Sequence, residues 1–216
     1  MQIIYEDKRI IVAVKPAGVL STDEPGGMPS LLREYLGDPT ACVRTVHRLD
    51  RTVSGLMVFA RSRAAASILS QQVREHRFQK EYLAAVHGCP VQPEGCMRDL
   101  LLRYKAEKKT YVVQETGRDV QEAVLHYRLL AGAEDCSLLR IRLETGRTHQ
   151  IRVQLSSRGL PILGDGKYGV SDSALQIALW SCNLAFQHPE SGEAMTFCLR
   201  PPEAFPWNLF PAEAFG

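Results

Sequence analysis

The sequence predicts an α+β fold: a mixed, largely antiparallel β-sheet with flanking helices and loops. Three observations predict it. Short β-rich, apolar runs outnumber the helical patterns, they do not alternate with helices as a parallel sheet requires, and two of them close the chain near its C-terminus. The 216 residues, 45% of them hydrophobic, can bury a core without disulfides or a metal, and they read as one domain over 1–216.

Residues 3–5 and 10–14 flank the polar turn Glu6, Asp7 and Lys8 and predict a hairpin. Pro16, Gly18, Pro25, Gly26 and Gly27 mark a long loop. Pro29 and Gly37 bracket a short helix over 30–36. Residues 55–60 form a continuous apolar run of strand length. Ala65, Ile68, Leu69 and Val73 recur at helical spacing over 63–74, with Ser62 where an N-cap belongs. Strands follow at 82–86, 110–113, 123–130 and 137–143, then a helix over 148–157 closed by Gly159, then closing strands at 175–186 and 194–199. The tail from Pro201, with Phe205, Trp207 and Phe210, reads as an irregular packed strap.

Lys plus Arg number 26 against 24 Asp plus Glu, so the total charge of +2 identifies no partner. Its distribution is more informative. Residues 98–109 and 140–152 each carry a net +3, which suits a localised polyanion footprint or an ordinary solvated face. No apolar run reaches the ~20 residues that span a bilayer, and no membrane association is expected. The N-terminus lacks a secretory pattern, so Cys42, Cys89, Cys96, Cys136, Cys182 and Cys198 read as reduced thiols of a cytoplasmic protein. No C-x-x-C occurs and no two histidines stand four apart, so no metal is expected.

Gly164, Gly166 and Gly169 match G-x-G-x-x-G. Dinucleotide binding needs that turn between a strand and a helix. Here it follows a short run containing Pro161 and precedes 170–173, which read as loop, so the glycines are assigned to a tight turn.

Two segments carry chemistry. In 44–55, Asp50 lies between Arg48 and Arg51, with His47 nearby. Flanking guanidinium groups favour the carboxylate form, which suits a nucleophile or base rather than an acid. The same pattern also fits a salt-bridged turn. In 147–152, Arg147, Thr148, His149, Gln150 and Arg152 crowd donors together, as a basic helix N-terminus also would.

Val46, His47, Arg48, Leu49, Asp50 and Arg51, with Ser54, Gly55 and Leu56, resemble the catalytic motif of the RluA-type pseudouridine synthases. Further motifs follow in family order: Lys80, Tyr82, Leu83 and Ala84 resemble K-x-Y-L-A, 145–153 resemble the third motif, and 164–169 match G-D-x-x-Y-G. Lys15, Pro16 and Gly18 match an early K-P-x-G, so the resemblance spans roughly residues 3–200.

The resemblance implies isomerisation of uridine to pseudouridine in structured RNA, a ribosomal or transfer RNA stem-loop, by a monomer without cofactor. It implies Asp50 as the essential carboxylate, Arg152 as its ionic partner, and Tyr82 stacked on a flipped uracil. Arg48 would fill the space the base leaves. His47, Arg51, Arg147, His149, Lys108 and Lys109 would contact RNA, and Leu56 and Ile151 would line the pocket. The chain departs from the family in three places. Thr52 and Val53 replace Asp-Thr, Trp180 and Ser181 replace His-Ala after Leu179, and the frequent S4 RNA-binding domain is not expected. The departures keep open an inactive RNA-binding protein of the same fold. A glycosidase is a third reading and needs a second carboxylate, for which Asp165 or Glu144 are the candidates.

Overall fold

The computed structural model describes residues 1–169 and 175–215, and the loop read at 170–173 lies outside them. The chain forms two compact units, Met1–Lys80 with Trp180–Leu199, and Glu81–Leu179 with Arg200–Gly216.

The first unit contains β1 (Gln2–Glu6), β2 (Ile10–Lys15), α1 (Met28–Leu36), β3 (Arg44–Thr45), β4 (Ser54–Ala60) and α2 (Arg63–Arg74). In the second unit, β5 (Gln79–His87), β6 (Glu94–Tyr104), β7 (Lys109–Val113), β8 (Val120–Ala133) and β9 (Cys136–Leu143) precede α3 (Gln150–Ser156). The chain then returns to the first unit with β10 (Leu179–Gln187) and β11 (Ala194–Cys198).

In the first unit β4 is the organising strand. All seven of its residues are buried, as a continuous apolar run demands. It pairs antiparallel with β2 along its length, with β3 at its Ala60 end, and in parallel with β10 through Ser54 and Gly55. The parallel rung makes the sheet mixed. Ala65 and Leu69 of α2 pack on Ile10, Val12, Leu56, Val58, Phe78, Leu184 and Phe186. A fully buried Leu or Phe is worth about 1.5–3 kcal/mol, so this cluster supplies much of the unit's cohesion. The Ser62 hydroxyl caps α2 by accepting from the Ala65 N–H. Helix α1 starts two residues earlier than the sequence suggests. Its Pro29 sits inside the first turn, where a missing N–H costs nothing, and Gly37 closes it with φ 65°.

In the second unit five strands run antiparallel in the order β5-β9-β8-β6-β7. Strand β6 is the longest element the sequence reading missed; the two-residue β3 is another. Arg98, Asp99 and Arg103 disguise β6 as a charged loop, while Met97, just before them, and Leu101, between Asp99 and Arg103, are buried. Helix α3 is shorter than expected, because His149 adopts φ 56° and starts it late. The strand expected from 175 begins only at Leu179. Before it, Ala178 donates to the Leu163 carbonyl, and the Leu175 and Gln176 carbonyls lie against Gly164, so this stretch serves the 163–164 turn. In the tail Trp207 and Phe210 are buried, but Phe205 is 56% exposed and corrects the expectation that it packs.

The departure at Trp180 and Ser181 has a packing logic. Trp180 Nε1 donates to the Leu199 carbonyl, and the Ser181 hydroxyl donates to the Leu56 carbonyl. Opposite them Gly55 has φ 118°, and a Cβ there would lie 2.4 Å from the Ser181 carbonyl oxygen. Gly55→Ala is therefore expected to cost about 3 kcal/mol or more in urea unfolding. Gly132→Ala, where a Cβ meets nothing within 4 Å, is expected to stay within about 1 kcal/mol of wild type.

Candidate active site

Asp50 sits on the irregular segment between β3 and β4, which the loop after β2 holds. Lys15 is the buried end of β2, and its Nζ donates to the carbonyls of Pro16, Val19 and Arg51 at 2.9, 2.7 and 3.1 Å. The Gly18 N–H also donates to the Arg51 carbonyl, at 2.8 Å. Ser21, 3% exposed, donates its hydroxyl to the Leu49 carbonyl at 2.8 Å and accepts from the Leu49 N–H at 3.0 Å. Val53 N–H closes the turn on the Asp50 carbonyl. Burial pushes the Lys15 ammonium down to about 8, and the nearby Asp50 carboxylate pulls it back up.

The neighbours of Asp50 divide. Arg48 is exposed. Arg51 is also exposed, but its Nε donates to the Gly18 carbonyl, so part of its guanidinium is committed to the loop. His47 is not at the surface. It is 7% exposed, accepts from the Val58 N–H through Nε2 at 3.2 Å, and packs on Phe78. Burial, assisted by the Lys80 ammonium, pushes its imidazole down to about 3. It is a neutral core acceptor, a role unlike the RNA contact expected from its place beside Arg48.

Tyr82 and Arg152 belong to the second unit. Tyr82 is a buried residue of β5 in register with Ile141. Arg152, on α3, directs Nε and Nη2 to the two carboxylate oxygens of Asp165 at 2.8 and 2.7 Å. This fork is buried on both sides. Burial alone would raise the Asp165 carboxyl, but the Arg152 guanidinium and the Lys167 and Tyr168 N–H groups outweigh it and hold the carboxyl below its usual range.

Tyr168 draws several expected residues together. Its ring lies 5.2 Å from the Arg152 guanidinium carbon and 5.3 Å from Lys109 Nζ. Its hydroxyl accepts from the Thr110 N–H at 2.7 Å and hydrogen-bonds His149 Nδ1 at 2.7 Å. Lys167 Nζ donates to the carbonyl of Lys108, which is exposed at the β6–β7 tip. Buried Gln150 shapes the preceding turn: its Oε1 accepts from the Arg147 N–H and the Thr145 hydroxyl, and its Nε2 donates to the Val124 carbonyl. Arg147 is exposed and donates Nε to the Glu122 carbonyl.

Sequence reading missed Ser21, Gln150 and Tyr168 as individual contributors. Tyr168 and Lys15 stood inside recognised motifs, but nothing local marks Ser21. The carboxylates considered for a glycosidase do not suit an acid of raised pKa. Asp165 is ion-paired, and the hydrogen bond from His126 holds exposed Glu144 below its usual range. Among the described residues no group of three or more His, Cys, Asp or Glu is placed to hold a metal, and no helix is long and apolar enough to cross a membrane.

A family profile described as RNA pseudouridylate synthase matches residues 9–157. The chain is 38% identical over 208 residues to the dual-specificity RNA pseudouridine synthase RluA of Yersinia pestis, covering 91% of this chain and 97% of that protein. It is 34% identical over 223 residues to the ribosomal large subunit pseudouridine synthase D of Zymomonas mobilis, covering 94% and 70%. The fold superposes with a TM-score of 0.79 on human RNA pseudouridylate synthase domain containing 4, at 23% identity over 96% of this chain and 91% of that one.

The buried imidazole sets a pH dependence. His47 is neutral in the fold down to about pH 3 and takes a proton near 6.5 when unfolded. The unfolded state therefore binds more protons between these values, and stability falls as pH falls through that window. From pH 6.5 to 5 this group alone is expected to cost about 1.5 kcal/mol. Urea unfolding of His47→Gln, which keeps an acceptor for Val58, is expected to lose that part of the acid sensitivity. Equal pH slopes in the two proteins would show that His47 takes up its proton as readily in the fold as in the unfolded chain.

Proposed function

The chain belongs to the RNA pseudouridylate synthase family, and we propose that it is a compact RluA-type enzyme acting on uridine in a ribosomal or transfer RNA stem-loop. General pseudouridine synthase activity on RNA follows from the family. The residue roles are our assignment. Asp50 is the reacting carboxylate, adding to C1′ or removing a 2′ proton while the N1–C1′ bond breaks and a C5–C1′ bond forms. Arg152, held by the Asp165 fork, is the cation that the family resemblance assigns to support it. Tyr82 stacks on the uracil.

The observation that carries this reading is the hold on the Asp50 loop. A reacting group needs a fixed aim, and an error near 1 Å can cost about a hundredfold in rate. Lys15, Gly18 and Ser21 supply that fix on an otherwise irregular segment. The target atoms are inaccessible in a stacked helix, so the base must be extruded, and the exposure of Arg48, two residues before Asp50, supports its filling the gap. The basic β6–β7 tip, with Lys108 and Lys109, grips phosphates.

The deciding experiment is site mapping on total unmodified RNA by carbodiimide adducts and primer extension. Pseudouridines are expected with wild type and none with Asp50→Asn, whose RNA binding persists. Turnover by Asp50→Asn within tenfold of wild type would remove Asp50 from the chemistry. Binding without modification by the wild type would favour the inactive RNA-binding reading. Tyr82→Phe is expected to keep binding and reduce turnover. Removing Lys108 and Lys109 together is expected to flatten the salt dependence of binding by about one to two counterions. An unchanged salt slope would return that tip to an ordinary solvated surface.

A further inference from the structure

We propose that Ser21 is a positioning residue for Asp50, whose hydroxyl sets the peptide plane from which the carboxylate is aimed. The inference rests on the reading of Asp50 as the reacting group. The Leu49 carbonyl and the Asp50 N–H share one peptide plane, the plane that enters the Asp50 Cα. Ser21 Oγ donates to that carbonyl at 2.8 Å and accepts from the Leu49 N–H at 3.0 Å, so one hydroxyl grips the residue at both polar atoms. The plane that leaves the Asp50 Cα is held separately, by the Val53 N–H on the Asp50 carbonyl. Both planes are thus fixed, and the direction of the Cα–Cβ bond follows from them.

The hold on the entering plane is a side chain from 28 positions upstream, whereas the hold on the leaving plane is backbone within the same turn. The first can be removed by a substitution that leaves the backbone chemistry unchanged, whereas the second would need a proline at position 53. Leu49 is 7% exposed and Ser21 3%, so water is a poor substitute for the missing hydroxyl. A neighbouring bond, from the Thr45 hydroxyl to the Ser21 carbonyl at 2.7 Å, holds the Ser21 backbone and leaves its hydroxyl untouched. Ser21 touches no substrate in this scheme. It acts through the Leu49–Asp50 peptide.

The test follows tritium release from RNA labelled at uridine C5, using transcribed ribosomal and transfer RNA, with enzyme in excess and at a temperature where circular dichroism shows every variant folded. Ser21→Ala is expected to lower the single-turnover rate constant by about ten- to a hundredfold, with RNA affinity within about twofold of wild type. Ser21→Thr, which restores the hydroxyl, is expected to recover most of that rate. Thr45→Val removes the adjacent bond without touching Leu49 and serves as the control for general loosening; its rate is expected to stay within a few-fold of wild type. If Ser21→Ala does not fold, Ser21→Cys keeps a weak donor in its place and is expected to give an intermediate rate. A Ser21→Ala or Ser21→Cys rate within twofold of wild type, with Asp50→Asn inactive, overturns the proposal and leaves the Asp50 assignment standing. An equal loss in Thr45→Val also overturns it, because the effect is then general loosening. Release by Asp50→Asn at the wild-type rate removes the underlying reading instead.

Discussion

A carboxylate on an irregular loop has none of the rigidity that a helix or strand supplies, and the first unit is organised around that constraint. The ammonium of Lys15 reaches three carbonyls drawn from two loops. It is buried at the end of a strand whose residues Ile10, Ile11, Val12 and Ala13 belong to the core, so the charge is fixed by the same packing that builds the sheet. Burial of a cation is costly, and the carbonyl oxygens together with the nearby Asp50 carboxylate offset that cost. Strand β4 then carries the chain away from the loop through a completely buried segment. The loop is therefore rigid at both ends without regular hydrogen bonding of its own.

The second unit meets a related problem with different parts. Arg152 projects from a helix of only seven residues, too short to be stable in isolation. Its guanidinium is immobilised by the two-toothed bond to Asp165, whose carboxylate is in turn held by two backbone N–H groups of the same turn. Removing one side of such a buried pair is typically far more damaging, at about 3–5 kcal/mol, than the pair is stabilising. Tyr168 extends the arrangement, joining the Arg152 turn to the basic hairpin through Thr110 and Lys109. The glycine pattern that mimics a dinucleotide fingerprint serves this turn: Gly164 has φ 73°, with the Gln176 carbonyl too close for a side chain.

Much of the architecture was legible because local and global preferences agree. The apolar run of β4, the Ser62 cap of α2 and the hairpin around Asp7 stand where pattern and propensity put them. The failures have physical causes. Strand β6 buries only Met97 and Leu101, four positions apart among charged neighbours, so no period-two pattern stands out. The 175–178 stretch has strand composition, but its Ala178 N–H goes to the Leu163 carbonyl at a turn while its Ala178 carbonyl accepts from the Ala85 N–H of β5. His47 has the sequence context of a surface residue and the environment of a core one, because its Nε2 satisfies the Val58 N–H beside β3.

The sequence alone determined the fold class and the family resemblance, because side-chain type and motif order are local properties, and it offered the candidate residues for the chemistry. It could not determine what holds those residues. Ser21 and Leu49 are 28 positions apart, Thr110 and Tyr168 are 58 apart, and Gly55 and Ser181 are farther still. Such pairings exist only once strands have registered and loops have closed. Whether a histidine is a ligand or a core acceptor, and whether a serine is solvated or aims a carboxylate, depends on burial, and burial belongs to the tertiary structure.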